Sequence, residues 1–78
     1  MDLREQRRRT LKAFGRNLRK NRESKTLTQE ALAEKADLDP TYISGIERGV
    51  RNPSIWSVAR ISRALGIDLA ELCKGVEA

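Results

Sequence analysis

Sixteen lysines and arginines are the groups through which this sequence can do chemistry. They are placed unevenly. Ten stand in residues 1–25 against Asp2, Glu5 and Glu23, whereas residues 26–78 hold six against eight acids. Clustered ammonium and guanidinium groups attract phosphates and carboxylates. The basic third therefore points to an acidic partner, with nucleic acid first and an anionic membrane surface second, a plain solvated face being the alternative. Groups that make or break bonds are scarce. There is no histidine, and the one cysteine, Cys73, has no imidazole to activate it. A lone Cys assembles no zinc site and closes no intramolecular disulfide, which fits a reduced, cytoplasmic setting; no metal or cofactor is expected. The acids fall mainly at helix starts and on polar faces, and 78 residues leave little room for a pocket. Neither an enzyme nor a small-molecule ligand is implied. Phe14, Tyr42 and Trp56 are the only aromatics, too few for a platform that stacks single-stranded bases. No apolar run approaches the roughly 20 residues that span a bilayer, so no membrane partner of that kind is expected, and the charged N-terminus is not an apolar leader.

The elements that position these groups are helical. No alternating stretch rich in β-branched residues is long enough for a strand. A first helix spans about Leu3 to Glu23. Asp2 with Glu5 forms a candidate capping box, and Leu11, Phe14 and Leu18 make an inward stripe. Residues 1–9 are too basic for that stripe and read either as a frayed arm or as a helical extension. Gly15 costs helix stability and marks a candidate close contact. Thr28 caps a second helix, Gln29–Ala36, with Leu32, Ala33 and Ala36 inward. Asp39 caps a third helix that has Pro40 in its first turn, Ile43 and Ile46 inward, and Gly49 as its left-handed stop. Ser54 caps a fourth, with Val58, Ile61 and Leu65 inward and Gly66 at its end. Asp68 and Glu71 form a second candidate capping box for a fifth, with Leu69 and Leu72 inward and Gly75 closing it. The fold class is all-α: a compact five-helix domain around one core.

The segment Gln29–Arg48 narrows this to a helix-turn-helix. Counted from Gln29, apolar residues fall at the fourth (Leu32), eighth (Ala36), tenth (Leu38), fifteenth (Ile43) and eighteenth (Ile46) positions, and the fifth is small (Ala33). Two helices crossing steeply over a short turn touch at few points, and the closest of these admits only a small side chain. The ninth position must accept positive φ. Asp37 stands there in place of the usual glycine, and Asp tolerates the left-handed region better than most residues.

Several stretches then resemble one family. Leu27-Thr28-Gln29-Glu30-Ala31-Leu32-Ala33, Tyr42-Ile43-Ser44-Gly45-Ile46-Glu47-Arg48-Gly49, Asn52-Pro53-Ser54 and Ala64-Leu65-Gly66-Ile67 are similar to the phage-repressor-type (Cro/C1, or XRE) helix-turn-helix, the lambda-repressor-like DNA-binding domain. The run Asp39–Arg48 further resembles the controller proteins of restriction–modification systems, stand-alone dimeric regulators of their own and the endonuclease gene. The resemblance implies that residues 11–76 form the DNA-binding domain, with 1–10 as basic arm or helix extension. It implies a double-stranded DNA operator as partner. The third helix then enters the major groove with Pro40, Thr41, Tyr42, Ser44 and Gly45 toward DNA, and Thr41 and Ser44 can bond base edges. Controllers often carry a long polar or basic side chain where Pro40 stands, so one base-reading group is missing or moved elsewhere here. The set is poor in Arg, Asn and Gln, which implies modest direct readout and some reliance on DNA shape. For Tyr42, partial packing with its hydroxyl in water is the alternative; for Gly45, a tight contact with another helix.

Backbone contacts follow by the same resemblance. Thr28 and Gln29 open the second helix, where free N–H groups attract a phosphate. Arg48, Arg51 and Asn52 match positions that hold the far side, and Arg16, Arg19 and Arg22 either add contacts or form a solvated face. Glu47 reads as structural, paired with an arginine of the first or fourth helix. A single domain reads too few base pairs to find an operator, so a homodimer on a palindrome is expected. In the family its surface lies near Ile55, Trp56, Leu69, Ala70 and Cys73. Trp56 falls off the inward spacing; it is either an interface residue or folded over the first helix or the basic arm. An antitoxin or phage-type repressor is the alternative within this class, and a protein-binding adaptor on the same fold is the alternative outside it.

Overall fold

Caps and glycine stops set the element order. In a computed structural model, which describes residues 1–77, five helices follow one another: α1 (Leu3–Ser24), α2 (Gln29–Ala36), α3 (Pro40–Glu47), α4 (Ile55–Leu65) and α5 (Leu69–Leu72). Each side-chain cap satisfies a backbone N–H that the first turn leaves free. Asp2 accepts from the Glu5 N–H, Thr28 from Ala31, Asp39 from Thr41 and Ser54 from Ser57. Two expected capping boxes are incomplete. The Glu5 carboxylate turns to Arg8 at 2.8 Å rather than back to the cap. Asp68 makes no side-chain cap bond, and the first turn of α5 relies on the backbone bond from Glu71 N–H to the Asp68 carbonyl. Nor does Gly75 close α5. That helix ends at Leu72 with Cys73 as its cap, and Gly75 takes its left-handed φ in the turn that follows.

The core forms where the inward stripes converge. Leu18, Leu32, Ile43, Ile46, Ile61 and Leu72 are the largest fully buried side chains, and Phe14, Ala33, Ala36, Val58 and Leu65 complete the cluster. Every helix contributes to it. α2 packs on both α3 and α4, while α1 lies across α3 and α5. Asp37 adopts the left-handed conformation (φ 55°, ψ 49°) that the two-helix turn requires. Thr26 does the same before α2, with nothing in its residue type to announce it.

Residues 3–10 are helical turns of α1, not a frayed arm. Leu11 is the first buried residue, so these opening turns pack on nothing in the core. Asn17 fixes the other side of α1 by donating to the carbonyls of Leu72 and Lys74 at 2.8 and 2.9 Å, which closes α5 onto the bundle.

Gly15 is where α1 meets α3 most closely. A Cβ at this position would stand 2.5 Å from the carbonyl oxygens of both Ile46 and Glu47, and backbone cannot yield as a side chain does. We expect Gly15→Ala to force the two helices apart and to lower unfolding stability by about 2 kcal/mol or more, despite the better helix propensity of alanine. Urea denaturation of the two proteins measures this; a variant as stable as the parent would mean the crossing is not tight.

Candidate nucleic-acid interface

Two helix starts build the candidate surface. The N-terminus of α2 and the N-terminal half of α3 face the same side, and between them lies a cleft of about 370 Å³ lined by Gln29, Glu30, Pro40, Thr41 and Ser44. Pro40 and Thr41 are exposed and Ser44 is half-buried, while Ile43 and Ile46 on the reverse of α3 are in the core. The helical period thus puts Pro40, Thr41 and Ser44 on one side of α3 and Ile43 and Ile46 on the other. The cleft presents two hydroxyls, of Thr41 and Ser44, to a groove rather than a pocket.

Gln29 is held in place from behind. Its amide nitrogen donates to Glu47 Oε1 at 3.0 Å, and the same carboxylate receives Arg22 Nε at 2.6 Å and Nη2 at 3.0 Å. The pair is largely out of water, with the Arg22 side chain 11% exposed and that of Glu47 4%. A bidentate, shielded pair of this kind is directional and strong. The hydrogen-bonded Glu47 carboxylate raises the Arg22 pKa further above its already high ordinary value, so this guanidinium stays charged. Arg22 also donates to the Leu27 carbonyl at 2.8 Å, tying α1 to the loop that precedes α2. The helix-1 partner expected for Glu47 is therefore Arg22.

Tyr42 and Gly45 are engaged by the fold itself. The Tyr42 hydroxyl donates to Ser57 Oγ at 3.3 Å at the start of α4, and the Arg51 guanidinium lies 5.0 Å from its ring centroid. Its hydroxyl is satisfied by protein, not left in water. Gly45 is buried beneath the stem of Arg51, whose Cγ occupies the space where a Cβ would go. The close neighbour of Gly45 is thus a side chain from the α3–α4 loop, not another helix. Arg48, Arg51 and Asn52 are exposed around the end of α3. Thr28 is exposed, with its hydroxyl spent on the cap. Arg16 and Arg19 are exposed on α1, and Arg19 pairs with Glu23 at 3.2 Å.

Helix-turn-helix proteins match residues 18–72. The chain belongs to the helix-turn-helix family. Among its relatives in the family, control protein C.MunI from a Mycoplasma species is 49% identical over 65 residues, which is 82% of this chain and 88% of that protein. The restriction–modification controller protein C.AhdI from Aeromonas hydrophila superposes with a TM-score of 0.79 at 44% identity, covering 80% of this chain and 94% of the other. The controller protein C.Esp1396I, solved as a tetramer with its natural 35 base-pair operator, superposes with a TM-score of 0.72 at 44% identity, over 76% and 78% of the two chains. The resemblance read from Leu27–Ala33 and Tyr42–Gly49, and the all-helical fold it implied, are borne out.

The start of α4 leaves two large apolar side chains in solvent. Ile55 and Trp56, at the start of α4, are 70% and 59% exposed. Trp56 does not fold over α1. Its ring is flanked by the guanidinium groups of Arg60 and Arg63 from its own helix, at 5.5 and 5.8 Å, and lines an open hollow of about 600 Å³ with Lys35 and Asp37. Ala70 is exposed, whereas Leu69 and Cys73 are half-buried against the core. Arg60 was not legible as a functional residue. It donates to the carbonyls of Ala36, at 3.1 Å, and Asp37, and so satisfies the end of α2. The signal was indirect: a non-glycine residue in the left-handed C-cap, with free carbonyls beside it.

Two measurements follow from these contacts. Glu47→Ala strands the shielded Arg22 charge and unties Gln29, so urea denaturation should show a loss of about 3 kcal/mol. A loss within a few tenths would mean that the pair is solvated. Asp39 is exposed, but the Thr41 backbone N–H at 2.7 Å, the Thr41 hydroxyl and nearby Arg51 hold its carboxyl below its usual range. A lowered folded-state pKa stabilises at pH values above the unfolded value of about 3.9 and is lost as pH falls through the folded value. Thermal melting between roughly pH 5 and pH 2 should fall more steeply for the parent than for Asp39→Asn; parallel curves would remove the capping charge from the start of α3.

Proposed function

We propose that this chain is a sequence-specific double-stranded DNA-binding transcriptional regulator, working in the cytoplasm as a homodimer on a palindromic operator, in the manner of the restriction–modification controllers to which it is similar. The observation that carries this reading is the open cleft shared by α2 and α3, which Gln29, Thr41 and Ser44 line together. Thr41 and Ser44 read base edges, with the Thr41 methyl available to a thymine methyl. Gln29 and the free N–H groups opening α2 take a backbone phosphate, beside the Thr28 cap. Arg48, Arg51 and Asn52 hold the opposite strand, and Arg16 and Arg19 add charge along α1. Pro40 lies at the edge of the base-reading set. Tyr42 and Gly45 serve that set mainly through Arg51, the one by orienting the guanidinium and the other by making room for its stem. With few long polar side chains on α3, groove width and deformability supply part of the specificity.

The dimer places two recognition helices about one helical turn apart, near 34 Å. Its surface is assigned to Ile55, Trp56, Leu69, Ala70 and Cys73. A large exposed Trp beside an exposed Ile is the kind of patch that association removes from water.

Selection of binding sites from a random duplex library at physiological salt should return a palindrome. A duplex with one half-site should bind at least tenfold more weakly than the full site. Thr41→Ala should relax the preference at one position of each half-site at a cost of about 1 kcal/mol or more, while Arg51→Ala weakens all sequences alike. Recovery of no sequence preference would overturn the reading and favour a protein-binding adaptor.

A further inference from the structure

The opening turns of α1 carry charge that the core does not use. No side chain before Leu11 is buried, yet the helix continues unbroken to Leu3 and presents Arg4, Arg7, Arg8 and Arg9. Their directions are set by the helix. Positions 4, 8, 12, 15, 19 and 22 are spaced by three and four, and so form one stripe along α1. Three points on this stripe have known neighbours. Lys12 lies against Gly49, where an added Cβ would meet the Lys12 Cα at 3.0 Å. Gly15 faces the carbonyls of Ile46 and Glu47, and Arg22 pairs with the Glu47 side chain. The stripe is therefore the side of α1 turned toward the end of α3 and the α3–α4 loop. Arg8 and Arg4 continue it past Lys12 by about 6 and 12 Å along the helix axis.

That loop carries Arg48, Arg51 and Asn52, the residues assigned above to one DNA strand. We infer that Arg4, Arg8 and Lys12 extend this row, so that the first turns of α1 form a second backbone clamp on duplex phosphates flanking each half-site. The inference rests on the DNA-binding reading. Continuity with that surface favours duplex DNA over other acidic partners. Arg8 is bonded to Glu5 at 2.8 Å, but both side chains are about half-exposed (56% and 42%), and an exposed pair of this kind exchanges readily for a phosphate. Arg4 and Lys12 make no salt bridge among the described residues. Phosphate clamps of this kind add affinity and salt dependence without changing which sequence is read.

The test compares the full chain with Arg4→Gln/Arg8→Gln/Lys12→Gln. Glutamine keeps helix propensity close to that of the residues replaced, and none of the three side chains is buried. Circular dichroism first checks that helix content and melting are unchanged. Both proteins are then titrated with the duplex recovered by selection, in a form ending at the half-sites and in a form about 5 bp, half a turn, longer at each end. The parent should bind the longer duplex more tightly, and the variant should bind both forms alike. The slope of log K against log salt should fall by about 0.9 for each phosphate that the variant no longer neutralises, which is roughly threefold in affinity per phosphate between 50 and 200 mM salt. The selected motif should stay the same. A variant with the parental slope and the parental gain from flanking DNA would overturn the inference while leaving the DNA-binding reading intact. The same holds if the substitutions abolish binding to phosphatidylserine vesicles and leave duplex binding untouched. A parent that shows no preference among duplexes would overturn both.

Discussion

The approach of α1 to the last turn of α3, possible because Gly15 has no side chain, is the constraint on which the remaining arrangement depends. It brings the Arg22 guanidinium within reach of Glu47, and Glu47 in turn reaches Gln29 at the start of α2. Three helices are thereby locked at their polar edge as well as through the core. The hydrophobic stripes alone would permit some sliding, because apolar contact is not directional. The shielded carboxylate with its three nitrogen donors permits much less. The relative position of α2 and α3, and hence the geometry of the exposed cleft, follows from that restriction.

Economy of polar groups runs through the rest of the molecule. No buried side-chain nitrogen or oxygen among the described residues lacks a hydrogen-bond partner. Asn17 closes α5, Arg60 finishes α2, and Ser57 receives the Tyr42 hydroxyl. In a chain of 78 residues the apolar core is small, so each backbone group left bare would weigh heavily on stability. The side chains that remain unspent are correspondingly informative. They are the hydroxyl of Ser44, Arg48 and Asn52 around the end of α3, Arg4 and Arg7 in the opening turns of α1, and the Ile55–Trp56 patch.

These unspent groups divide by chemistry. Short hydroxyl side chains on α3 discriminate weakly between bases, while abundant arginine binds phosphate irrespective of sequence. A regulator of the proposed kind, built this way, would gain selectivity from pairing two copies and from the deformability of its site, more than from any single bidentate contact. The cation-rich first helix would fit the same division, since it lies outside the α2–α3 unit and carries charge rather than base-reading groups.

Local chemistry made most of the fold legible in the sequence. Thr28, Asp39 and Ser54 cap the helices that follow them, Asp37 takes the left-handed turn, and the inward positions are buried except for the half-buried Leu69, because capping and helical period depend only on residues a few places apart. The outward positions of α3 were legible in part for the same reason: Thr41 and Ser44 lie opposite Ile43 and Ile46 on one short helix, whereas Gly45, expected outward as well, is buried. Asp68 was misread, since a cap residue has the option of a backbone bond that sequence does not reveal. What only the tertiary structure decided is how the polar groups are shared between folding and recognition. Half of the Gln29 amide is committed to Glu47, the Tyr42 hydroxyl to Ser57, the space beside Gly45 to Arg51, and the Arg60 guanidinium to the end of α2. Each of these pairings needs segments distant along the chain to arrive at one distance and angle. Residue type and spacing describe each segment separately, and the packing of helices against one core is what brings the partners together.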